Sequence, residues 1–128
     1  MKAMFAFVLC IFGVFTVQAG EKLDFSDITS REKAEALYAQ GKLEQITLFP
    51  REFGGQETPL NTIFVPIGVG DAKNKVTGML VRYFSDGLIN KLVVEPEYKG
   101  DSFIPSRIKM RAWHTERKGE FTPSIEVW

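Results

Sequence analysis

The chain of 128 residues holds one cysteine and one histidine. The cysteine, Cys10, stands inside the apolar opening stretch MKAMFAFVLCIFGVFTVQA. It lies between Leu9 and Ile11 rather than after small residues at the end of that run, so it is read as apolar filler and not as a lipid attachment point. Once the opening stretch is removed, no thiol is left, which excludes disulfides, thiol nucleophiles and cysteine-bound zinc. His114 has no second histidine with which to share a metal, so no metal site and no cofactor is expected. A surplus of charge is missing too, because 16 Lys and Arg face 16 Asp and Glu. Loss of Lys2 leaves a balance of about −1, which gives no general attraction to nucleic acid or anionic lipid. No apolar run is long enough to span a bilayer: Met4 to Val17 covers about 14 residues against the roughly 20 required.

What is present begins with a leader. One lysine, an apolar core and the small-residue end up to Ala19 have the layout of a secretory signal peptide over residues 1–19. Export to a periplasmic or extracellular space follows from it. Residues 20–128 then form a single domain, whose stability must come from a packed core.

Within that domain the hydrophobic spacing alternates between helical and extended periods. Thr29 or Ser30 caps a first helix to about Gln40, with Glu32 in the place a capping box requires and Gly41 as the stop. Leu43–Phe49 and Thr62–Val69 read as two strands around the loop REFGGQETPL. Asp71 caps a second helix whose inward positions are Val76, Met79, Leu80 and Tyr83, and Gly87 stops it. Ile89–Glu95 and Ser106–Trp113 are two further strands around a second long loop, and the apolar residues of the segment FTPSIEVW make it a strap or short strand. The expected fold is α+β: two helix–hairpin units in the order αββαββ, forming one antiparallel sheet with the helices on one face. Pairs such as Tyr38 with Tyr83 and Leu43 with Leu88 suggest that the second unit repeats the first. This element order is similar to that of small bacterial envelope domains such as the BON domain, a resemblance of topology that carries no residue roles.

The candidate contacts follow from the faces of the strands. In the second hairpin Leu92, Val94, Ile108, Met110 and Ala112 share one face, while Arg107, Lys109 and Arg111 form a basic stripe on the other. The first hairpin is apolar on both faces, with Ile46, Leu48 and Phe64 on one and Thr47, Phe49, Ile63 and Val65 on the other. Burying a Phe or Leu is worth about 1.5–3 kcal/mol, so the second apolar face calls for a cover: the strap, the N-terminal arm, a protein partner or a twin subunit. The two loops are long for hairpins and present Phe53, Tyr98 and Phe103. These features point to a non-catalytic domain that binds a protein partner, for instance an inhibitor or immunity-type protein. Two alternatives are a small-molecule binder or hydrolase using Glu95, Glu97 and Asp101, and an envelope domain whose stripe contacts anionic lipid. The glycines of IGVGDAK, residues 67 to 73, lack the third glycine of a dinucleotide fingerprint and read as a tight connection.

Overall fold

The computed structural model describes residues 23–128. The expected leader over residues 1–19, Cys10 included, lies outside the described residues. The fold is α+β, with two helices and two antiparallel sheets. In chain order the elements are α1 (Arg31–Ala39), β1 (Leu43–Thr47), β2 (Thr62–Pro66), α2 (Val69–Ser85), β3 (Lys91–Glu97), β4 (Arg107–Trp113), β5 (Glu120–Phe121) and β6 (Ser124–Glu126). The expectation of one continuous sheet does not hold: β1 pairs only with β2, and the remaining strands form a separate sheet around β4. Pro66 closes β2 without an N–H, so the outer edge of that strand is short of a donor that a neighbouring strand would need.

Both helices stop in the same way. Lys42 N–H donates to the Leu37 carbonyl (2.9 Å) and Leu88 N–H to the Tyr83 carbonyl (2.9 Å), with Gly41 and Gly87 at positive φ in between. After the stop the two units diverge. Leu43 enters β1 and is buried, whereas Leu88 remains in the turn and is exposed, so the sequence match between them is not a structural one. At the start of α1, Ser30 is the cap and accepts from Lys33 N–H (3.2 Å), which puts a lysine where the capping box would need Glu32.

The first hairpin differs most from expectation. Its register pairs Ile46 with Ile63, Glu44 with Val65 and Gln45 with Phe64. Residues directly opposite each other share a face, so Ile46 and Leu48 lie with Ile63 and Val65, and Phe64 lies with Gln45 on the reverse side. Each face is covered by a helix and not by the C-terminal strap. Phe64 meets Tyr38 of α1, with ring centroids 5.6 Å apart, while Glu44 on the opposite face meets the first turn of α2. The core therefore runs through the hairpin, joining Ala34, Leu43, Val65, Leu80, Ile104 and Ile108.

In the second sheet β4 alternates exposed and buried residues along Arg107–Ala112, and Leu92 and Val94 stand opposite Ala112 and Met110 on the buried face. Strand β3 runs on through Pro96, where a loop was expected. As the outermost strand it tolerates a residue with no N–H. The segment after Gly119 returns as β5 and β6 along the other side of β4, and Trp128 closes it by donating its indole N–H to the Ile104 carbonyl (3.0 Å). The N-terminal arm joins the same corner, with Phe25 edge-on to Trp128 and the Phe103 N–H donating to the Ile28 carbonyl.

The inward face of α2 consists of Val69, Lys73, Val76, Thr77, Leu80 and Tyr83, and Met79 points outward. Urea unfolding of two variants checks this orientation. Leu80→Ala is expected to cost about 2–5 kcal/mol, and Met79→Ala less than about 0.5 kcal/mol.

Candidate functional site

The site is built from the start of α2. Helix N-termini leave backbone amides without intrahelical partners, and Gly68, at φ 105°, caps this one with no side chain. The partner comes from across the hairpin: Glu44 Oε2 accepts from the Gly68 N–H (2.7 Å) and the Gly70 N–H (3.1 Å). A side chain at position 70 would stand 2.8 Å from Glu44 Oε1, so a glycine there permits the approach. Asp71, expected as the cap, lies instead in the first turn, where its charge still complements the helix dipole. The anion position at this helix end is thus filled by the chain's own carboxylate.

Holding α2 beside β1 in this way leaves a groove of about 620 Å³ between them. Strand residues 44 to 47 line one side and Gly70, Asp71, Lys73 and Asn74 the other, with Arg51, Glu52 and Glu57 of the first loop at the rim. Successive strand residues point to opposite faces, so a groove touching all four passes the edge of β1, and it reaches onto the hairpin at Thr62, the partner of Thr47. Leu48 N–H donates to the Asn61 carbonyl (2.8 Å) in step with the strand register. Hydrogen-bonded and non-hydrogen-bonded pairs alternate along an antiparallel ladder, so Ile46 and Glu44 also bond to β2. Gln45 and Thr47 then direct their main-chain N–H and C=O away from it, into the groove. No partner for these groups is present among the described residues.

Lys73 lies on the inward face of α2 and is only 5% exposed, yet it lines the groove. Its ammonium makes no ion pair among the described residues. Burial holds its pKa below the usual lysine value, and the charge of Glu52 opposes that shift in part. Of the neighbouring charges, Glu57 pairs with Arg51 and Glu44 with the α2 amides, while Glu52 and Asp71 have no ion-pair partner among the described residues.

The residues singled out in the sequence are dispersed. Every cation of the basic stripe has a carboxylate partner: Arg107 bonds Glu126 (2.6 Å) and faces Glu97 (3.5 Å), Lys109 meets Glu97 (3.3 Å), and Arg111 bonds Glu120 (3.0 Å). Its bond to Glu126 raises the Arg107 pKa further. Arg111 also stacks over Trp113 at 4.0 Å. Exposed pairs of this kind contribute about 0–1 kcal/mol each, but they leave no unpaired cation in the stripe for a phosphate or a lipid. Glu97 is committed to this network, while Glu95 and Asp101 are exposed.

The aromatic residues of the loops are divided as well. Tyr98 is half exposed, and burial of the rest of its ring raises its pKa. Phe103 is half-buried beneath the Arg31 guanidinium at 5.2 Å. Phe53 packs edge-on against Phe84 at 6.0 Å, beside a small crevice of about 170 Å³. Of Ile46, Leu48 and Phe64, only Ile46 lines the groove, and Phe64 is in the core. His114 serves its own turn, accepting from the Glu116 N–H (3.0 Å).

Comparison with protein-family models, with curated proteins and with solved structures found no match. The residue that sequence reasoning passed over is Lys73. Its signal was there: it interrupts the apolar stripe of α2 four positions after Val69 and four before Thr77.

Substitutions at two positions test the site. Glu44→Ala is expected to lower stability by about 0.5–2 kcal/mol through loss of the helix cap, and Glu44→Gln by less, since its carbonyl still accepts. Lys73→Met replaces a partly desolvated ammonium by an apolar end on the inward face of α2 and is expected to stabilise the chain by up to about 1 kcal/mol at neutral pH. The pH dependence has a definite sign. The unfolded chain holds the Lys73 proton more tightly than the native one, so native stability rises as pH climbs from the lowered native value toward about 10.4. Tyr98 acts oppositely: its raised pKa means that stability falls as pH passes the ordinary tyrosine value of about 10. The difference between wild type and Lys73→Met cancels Tyr98, and urea titrations should show that gap narrowing between neutral pH and about 10.5.

Proposed function

We propose that this chain is an exported, non-catalytic domain that binds an extended segment of another protein along the edge of β1. The observation that carries the reading is the outward main chain of Gln45 and Thr47, without partners among the described residues and bordering a groove of about 620 Å³. An added segment would exchange main-chain hydrogen bonds with these two residues and point alternate side chains into the groove. Four such bonds at about 1 kcal/mol each fall short of the roughly 8 kcal/mol of a micromolar complex. The groove side chains must supply the remainder, so binding is selective.

Export rests on the leader over residues 1–19. Where the captured segment belongs to an exported enzyme, the domain acts as an inhibitor or immunity-type protein. A second copy of the chain adding to the same edge would make a homodimer instead. The surplus apolar surface that first suggested a partner is taken up by α1 and α2, so the free strand edge now supports the reading in its place. The repeat of the helix–hairpin unit belongs to the same proposal and is supported by the matching helix stops at Gly41 and Gly87.

Selection of a random dodecapeptide library on the purified chain tests this. Gln45→Pro removes an outward N–H and leaves the β2 ladder intact, so the variant should fold and lose at least about tenfold in affinity for the selected peptides. Equal binding by Gln45→Pro would rule out strand addition at β1, and light scattering of the free chain distinguishes the homodimer.

A further inference from the structure

Lys73 occupies a position where an apolar residue would pack as well and would not have to be desolvated. Among the inward residues of α2 it is the one charged side chain, only 5% exposed as a residue, and it lines the groove. Arg51 beside the groove is matched with Glu57, and the cations of β4 are matched too, Arg107 and Lys109 with Glu97 and Arg111 with Glu120. The stem of Lys73 is buried while its ammonium meets solvent, and an ammonium without a protein partner at the wall of a groove is a strong donor for an acceptor brought into it.

The surroundings narrow the choice of acceptor. Glu52 and Asp71 flank the groove and have no ion-pair partner among the described residues, so a dianion such as a phosphate monoester would be repelled on two sides. A single carboxylate between them suits one ammonium. Lysine or arginine at neighbouring positions of the same segment would in turn complement Glu52 and Asp71. A segment running along β1 would present alternate side chains toward the floor of the groove, where Lys73 stands.

We propose that Lys73 sets the specificity of the groove by taking up the carboxylate of an Asp or Glu side chain, flanked by basic residues, from the segment that adds to β1. This rests on the strand-addition reading. Glu52 is the internal competitor, and its removal strengthens the interaction.

The experiment uses the dodecapeptides selected on the purified chain and measures their affinity by fluorescence anisotropy. The selected sequences should share one acidic position. Replacing it by Asn or Gln should weaken binding to wild type by about tenfold or more and leave binding to Lys73→Met nearly unchanged. Lys73→Arg should keep part of the preference, and Glu52→Gln should raise affinity for the acidic peptide. Urea unfolding of each variant confirms that it is folded. Peptides that respond to Gln45→Pro but share no acidic position, or an acid replacement that weakens wild type and Lys73→Met equally, would overturn the role of Lys73 and leave strand addition standing. No enrichment, or peptides that bind Gln45→Pro as well as wild type, would overturn both.

Discussion

Glu44 accepts two backbone hydrogen bonds from the N-terminus of α2, and the placement of that helix follows from them. The carboxylate belongs to β1, the amides to Gly68 and Gly70 just after β2, so the contact ties the helix to the far strand of its own hairpin. A charged acceptor at a helix N-terminus is favourable both as a hydrogen bond and against the dipole. It also determines what the first turns of α2 face. Gly70, Asp71, Lys73 and Asn74 come to border the edge of β1, which is flanked without being covered.

Two other regions close polar groups on each other. The outer face of the second sheet carries six charged residues from β3 to β6 in mutual pairs, Arg107 and Lys109 sharing Glu97, with Glu126 and Glu120 supplied by the returning strands. The corner at Trp128 binds the arm, the second loop and the C-terminal segment together through the Ile104 carbonyl, Phe25 and the Lys99 ammonium, which lies 4.8 Å from the indole ring centre. Beside these paired groups, the outward main chain of Gln45 and Thr47 and the ammonium of Lys73 border one groove without partners among the described residues. Their proximity in one groove gives the functional reading its weight.

Much of the fold was legible in local pattern. Ser30, Gly41 and Gly87 marked helix ends by cap chemistry that depends on neighbours only, and the alternation along Arg107–Ala112 gave the faces of β4 directly. The first hairpin was not legible, because which residues share a face depends on register, and register depends on the loop. Asn61 decides it: its side chain accepts from Phe49 N–H and donates to the carbonyls of Phe49 and Gln56, closing the loop so that Ile46 stands opposite Ile63. A one-residue slip exchanges the faces, and the grouping of Phe64 with Ile46 and Leu48 made that slip. The separation into two sheets was hidden for a related reason, since it depends on how the outer edge of β2 is left and not on the spacing of its side chains. Lys73 was visible as an interruption of an apolar stripe, but its meaning needed the groove beside it.

The account depends on one edge being open, and native-state hydrogen exchange of the free chain measures that edge residue by residue. Amides bonded across the hairpin exchange through opening of the structure, whereas outward amides exchange at nearly the rate of exposed chain. The amides of Gln45 and Thr47 are expected to exchange fast, and those of Glu44 and Ile46 slowly. Strong protection of all four in the monomer would mean that the edge of β1 is already occupied, and would contradict the account.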